Sequence, residues 1–166
     1  MAGTALNVRP AQLADAAAIA AIYNEGIRGR QSTFETRERA AAEVEHWFGN
    51  PRHPILVAVV EGIVVGWISA STYRPRECYA GIGEFSVYVS GAHRGRRLGD
   101  ALMRDFLPAC AKAGLWKLVS RIFPENRASL ALCARHGFRE VGTYQKHAQL
   151  DGGWRDVVIV ERLLDR

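Results

Sequence analysis

The chain is poor in cysteine. Cys78, Cys110 and Cys133 are the only three in 166 residues, widely spaced and with no Cys-x-x-Cys pair. An odd, scattered set excludes a disulfide framework and argues against zinc, so no metal is expected. It suits a reducing cytoplasm. Long apolar runs are also missing. No segment approaches the ~18 apolar residues of a membrane span. Residues 1–7 carry no apolar stretch of the secretory type. There is no Gly-Lys-Ser or Gly-Lys-Thr, which leaves a Walker-type nucleotide loop a poor fit. The basic residues form no stripe along a helix, which speaks against nucleic acid as a partner. No internal repeat, low-complexity tract or linker divides the chain.

What is present is ordinary for a globular protein: 48% hydrophobic and 23% charged residues. A length of 166 residues suits one domain over residues 1–166 with its own core. The net charge of +5 suits an anionic ligand without demanding one.

Residues 6–9 form a short first strand, stopped by Pro10. Asp15 can cap a helix carrying Ile19, Ile22, Tyr23 and Ile27 at helical spacing, ended by residues 26–32. Thr36 is the candidate cap of a second helix with Val44, Trp47 and Phe48, closed by Gly49-Asn50-Pro51. Residues 55–60 and 63–71 form a hairpin about Glu61-Gly62, and 81–89 a further strand. A helix over 98–113 places Leu98, Leu102, Phe106 and Leu107 on one side, is bent at Pro108 and stops at Gly114. A strand at 115–123, a helix at 126–136 and a hairpin of 141–149 with 154–164 complete the order. The fold class is α/β (α+β): a central mixed sheet with helices on both faces.

Residues 84–100 carry the strongest signal. An apolar strand, Glu84-Phe-Ser-Val-Tyr-Val89, runs into Arg94-Gly95-Arg96-Arg97-Leu98-Gly99-Asp100 and then a helix. Such a loop aims main-chain N–H groups, cations and a helix N-terminus at one point, where a pyrophosphate fits. Taken alone, three arginines in four residues would more often be a solvated basic turn.

The whole pattern resembles the GCN5-related N-acetyltransferase (GNAT) superfamily. The residues behind this are the strand and Arg-rich loop, then Asn126-Arg-Ala-Ser129 opening a helix that ends in Gly137-Phe138. Within it the chain is most similar to the phosphinothricin and arsinothricin N-acetyltransferase group. Ser32-Thr33-Phe34-Glu35, Tyr73-Arg74-Pro75-Arg76 with Tyr79, the strand from Glu84 to Val89, and Leu150-Asp151 with Trp154-Arg155-Asp156-Val157 carry that narrower likeness. The resemblance implies a mostly antiparallel sheet of about seven strands, about four helices, and acetyl-CoA as co-substrate. It implies that the amides of residues 95–100, with Arg94, hold the coenzyme pyrophosphate. Val87, Tyr88 and Val89 would face the pantetheine arm, with Asn126 and Ser129 beside it. Arg97 stands where the family pattern has glycine, an added cation if its φ is ordinary and a strained residue if its φ is positive.

Acetyl transfer needs a neutral amine, and an α-amino group of pKa about 7.7–8.0 is mostly protonated at neutral pH. A general base is therefore required. Glu84 sits in an otherwise uncharged run over residues 78–92, shares a strand face with Ser86 and Tyr88, and matches the group's catalytic glutamate. It also reads as an edge-strand carboxylate paired with Arg74 or Arg76. Cys133 falls where relatives carry a tyrosine or histidine acid; packing is the favoured reading of such a residue. By resemblance Arg74 and Tyr79 hold the anionic end of the acceptor and Phe34 walls its pocket.

The expected function is acetylation of the α-amino group of a small amino acid or a phosphinothricin-, arsinothricin- or methionine sulfoximine-type analogue, by a cytoplasmic detoxifying homodimer. Competing functions are a non-catalytic acyl-CoA-binding or regulatory domain, and transfer to a protein N-terminus or lysine.

Overall fold

The computed structural model describes residues 5–165. Residues 1–4 and 166 lie outside the described residues, and with them most of the stretch read for a targeting signal. The strands are β1 (Leu6–Pro10), β2 (Ile55–Val60), β3 (Ile63–Thr72), β4 (Ile82–Val89), β5 (Lys117–Ile122), β6 (Arg139–Leu150) and β7 (Gly153–Leu163). They form one sheet in the order β1-β2-β3-β4-β5-β7-β6. Every neighbouring pair is antiparallel except β4 with β5. The helices are α1 (Ala16–Gly29), α2 (Ala41–Glu45), α3 (Leu98–Lys112) and α4 (Arg127–Arg135). The expected mixed sheet of seven strands with four α-helices is the observed fold.

Strand alternation splits the core into two layers. On one face Phe85 packs with Leu98, Leu102 and Phe106 of α3 and with Leu132 of α4. On the other, Trp67 and Tyr88 pack with Ile19 and Ile22 of α1, Val44 of α2 and Trp47 just beyond it. The hairpin turns have positive φ at both central residues: Glu61 (51°) with Gly62 (79°), and Asp151 (51°) with Gly152 (79°). That twist suits tight two-residue hairpins.

Two expected helix caps differ. Asp15 does not cap α1. Its carboxylate accepts from the Gln12 N–H at 2.7 Å and from the Arg9 guanidinium at 2.8 and 3.0 Å, closing a short 3-10 turn that leads into α1. A charged donor outcompetes the helix N–H groups. Thr36 does not cap α2 either. The chain stays irregular until Ala40, and the Glu43 carboxylate accepts the Ala40 N–H at 2.8 Å. The delay comes from Asn24 on α1, which bonds both main-chain groups of Arg39 at 2.7 and 2.9 Å. α3 runs unbroken through Pro108.

Candidate active site

β4 and β5 pair at only three positions, Ile82↔Lys117, Gly83↔Leu118 and Glu84↔Val119. Beyond Glu84 the strands part, β4 staying on β3 and β5 on β7. Main-chain directions alternate along a strand. The Ser90 N–H bonds Val65 O on the β3 side at 2.8 Å, and Phe85 O accepts the Ser120 hydroxyl on the β5 side at 3.0 Å. By that alternation the main-chain groups of Val87 and Val89 face the gap, available to an extended ligand.

The gap opens into a cleft of about 460 Å³ lined by Val87, Tyr88, Val89, Arg94, Gly95, Arg97, Leu98, Gly99, Asp100, Asn126 and Ser129. Of the residues expected around the coenzyme, Arg96 alone is not part of its lining; it is exposed on the same loop. Arg97 is left-handed, φ 57° and ψ 28°, and stands at the N-cap of α3. Relative to glycine this costs about 1 kcal/mol. The first helical bond runs from the Ala101 N–H to Arg97 O at 3.1 Å. The N–H groups of Leu98, Gly99 and Asp100 therefore lack helical acceptors and lie at the positive end of the helix.

Gly99 sets the spacing between α3 and α4, because a Cβ there would lie 3.1 Å from Leu132 Cδ2. The Asp100 carboxylate is engaged elsewhere, with Arg135 at 3.0 Å and His136 Nε2 at 2.9 Å. The Arg135 guanidinium, aided by His136, holds it below the usual carboxylate range. Asp100 can thus offer its N–H while its charge is balanced. Asn126 caps α4, accepting the Ser129 N–H at 3.3 Å.

Glu84 lies at the closed end of the gap, its side chain 21% exposed. Its partner is neither Arg74 nor Arg76 but Arg121 of β5, with Nη2 at 2.7 Å and Nε at 2.9 Å from the same Oε1. Two hollows meet at this pair. One, about 280 Å³, includes Phe34, Ser86, Tyr88 and Ser120; the other, about 170 Å³, includes Tyr73, Arg74, Tyr144 and His147. The first adjoins, at Tyr23 and Ser86, a wider groove of about 740 Å³ walled by Trp47 and Trp67.

Phe34 stands edge-on to Phe123 at 4.9 Å and lines the larger of the two hollows. Arg74 lies over the Tyr73 ring at 5.2 Å and lines the smaller hollow. Tyr79 is not brought to either hollow; it sits in the 3-10 turn Glu77–Tyr79 with its ring edge-on to Tyr73 at 5.8 Å. Gly26 lets Tyr88 lie against α1, since a Cβ there would come within 2.5 Å of Tyr88 Cε1. Burial raises the Tyr88 phenol above its ordinary range.

Cys133 is buried at the inner end of the gap, and burial pushes its thiol up to about 12. It stays a protonated packing residue. Arg121 escaped the sequence reading; its one signal was an arginine between Ser120 and Ile122 in an otherwise mostly buried strand.

Residues 19–138 match the Acetyltransferase (GNAT) family. The chain is 32% identical over 171 residues to the phosphinothricin N-acetyltransferase of Streptomyces coelicolor, covering 99% of this chain and 100% of that protein. It is 32% identical over 163 residues to the L-methionine sulfoximine/L-methionine sulfone acetyltransferase of Pseudomonas aeruginosa, covering 96% and 95%. Among solved structures, a GNAT superfamily phosphinothricin acetyltransferase from Sinorhizobium meliloti in complex with acetyl-CoA superimposes with a TM-score of 0.89 at 29% identity, over 96% of this chain and 88% of that one. Fold, cleft and similarity agree: the chain belongs to the GNAT family of N-acetyltransferases.

Proposed function

We propose that this enzyme acetylates the α-amino group of a small amino acid or amino-acid analogue, of the phosphinothricin, methionine sulfoximine or arsinothricin type, with acetyl-CoA as donor and Glu84 as general base. The observation that carries this is β4 itself: one strand bears Glu84 where pairing with β5 stops and the free edge of Val87 and Val89 where the strands have parted. The relatives named for phosphinothricin and methionine sulfoximine support the acceptor class.

The cleft fits acetyl-CoA. Gly95 at φ 77° and left-handed Arg97 turn the loop so that three uncommitted N–H groups stand at one helix end. Those groups, with Arg94 and Arg97, would hold the pyrophosphate. Val87 and Val89 would hold the pantetheine arm, with Asn126 and Ser129 alongside. Acetyl-CoA, when bound, supplies an acetyl group activated as a thioester. Glu84 takes the proton from the acceptor ammonium, directly or through one water. Phe34 and Tyr88 shield the base from bulk water. Cys133, kept protonated, stores no charge and takes no proton. Residues 1–166 act as one catalytic domain. A cytoplasmic homodimer paired through the exposed 12-residue edge strand β6, with Val141 and Tyr144 at its surface, completes the proposal; detoxification is its role.

The test is a thiol-release screen with acetyl-CoA over amino acids and their phosphinate, arsinate and sulfoximine analogues, products identified by mass spectrometry. N-acetylated amino-acid analogues are expected. Release only with peptides or lysine side chains would overturn the acceptor assignment.

A further inference from the structure

We propose that Arg121 is the receptor for the acceptor's carboxylate, and that by exchanging Glu84 for that carboxylate it frees the base only when a carboxylate-bearing acceptor arrives. This rests on the acetyltransferase reading above.

Arg121 Nη2 and Nε converge on Glu84 Oε1, at 2.7 and 2.9 Å. Glu84 Oε2 and Arg121 Nη1 carry no partner among the described residues. Each member of the pair thus keeps a free valence for a ligand. Both line both hollows, so they occupy the junction that any acceptor approaching the gap must meet.

The Arg121 side chain is 53% exposed and that of Glu84 is 21% exposed. Ion pairs this accessible to solvent are weak, so a ligand can displace one half. A guanidinium favours a planar, two-oxygen anion, which a carboxylate supplies. In a free amino acid the ammonium and the carboxylate sit on one carbon. They can meet Glu84 and Arg121 together, and charge stays balanced as one pair becomes two. Arg74 lies over the Tyr73 ring, lines the smaller hollow alone and makes no bond to Glu84. It is therefore placed for the far end of the acceptor rather than for this exchange.

The test compares one amino-acid acceptor with its carboxamide, in the wild-type enzyme, Arg121→Gln and Arg121→Lys, with acetyl-CoA affinity measured in each as the folding control. The wild type is expected to favour the acid over the amide in kcat/KM by roughly ten- to a hundredfold, the size of a lost charged hydrogen bond. Arg121→Gln should raise KM for the acid and remove the discrimination; Arg121→Lys should restore part of it. Equal wild-type rates for acid and amide, or discrimination that survives Arg121→Gln with coenzyme affinity intact, would overturn the proposal. No thiol release with any amine would instead overturn the acetyltransferase reading on which it rests.

Discussion

The two ends of β4 are built differently. The proposed coenzyme end comes mainly from one continuous run, residues 87–100, plus the start of α4. Its donors are main-chain groups fixed by helix geometry, and little depends on distant contacts. The acceptor end is assembled from far-separated pieces: Glu84 on β4, Arg121 on β5, Phe34 on the segment before α2, Arg74 after β3 and His147 on β6. Its charges are side chains held by one another. A site of main-chain donors tolerates many side-chain choices, whereas a site of paired side chains is sensitive to each.

The largest expected effect falls on the acceptor end. Glu84→Gln should lower turnover by roughly 10²–10⁴-fold, the usual contribution of a positioned base. Steady-state thiol release checks this, and unchanged turnover removes Glu84 from its role. At the coenzyme end, Gly99→Val forces methyls against Leu132 and parts α3 from α4. It should cost about 1–3 kcal/mol of stability and weaken acetyl-CoA binding, read by thermal melting and calorimetry. Binding as tight as wild type would mean that the spacing of α3 and α4 does not set the donors.

Arg97→Gly has a smaller effect of mixed sign. Relief of the left-handed strain should stabilise the fold by about 1 kcal/mol, or ~2–4 °C for a chain of this size. The lost cation should weaken coenzyme binding most at low salt. A fall in melting temperature would contradict the strain argument.

Smaller still is an acid effect at Asp100. Its folded carboxyl is lowered by Arg135. Its contribution is therefore fully present above the ordinary aspartate range and is lost as pH falls through the lowered value. Asp100→Asn should flatten that part of the stability–pH curve, measured by denaturant melts between neutral and acid pH. The smallest effect is Cys133→Ala: turnover as in wild type, with a modest loss of stability from the vacated core volume. A large fall in turnover would restore Cys133 as an acid.

The same contrast explains what could be read from sequence. Strands, helices and the Arg-rich loop follow local patterns of alternation, helical spacing and glycine, and apart from α2, confined to Ala41–Glu45, they lie close to where the pattern puts them. Thr36 failed as a cap because Asn24, on another element, bonds the backbone of Arg39 and delays α2. Asp15 failed because Arg9 bonds its carboxylate first. Arg121 was illegible because 37 residues separate it from Glu84, and only the parallel pairing of β4 with β5 joins them. Tyr79 lies in a 3-10 turn with its ring edge-on to Tyr73, which lines the smaller hollow in its place, an arrangement that no spacing rule reveals.

The central claim is that one strand joins two separable sites. Titration of Glu84→Gln with acetyl-CoA by calorimetry tests it most directly. The dissociation constant is expected to equal that of the wild type in an enzyme that has lost most of its turnover. Loss of coenzyme binding together with turnover would contradict it.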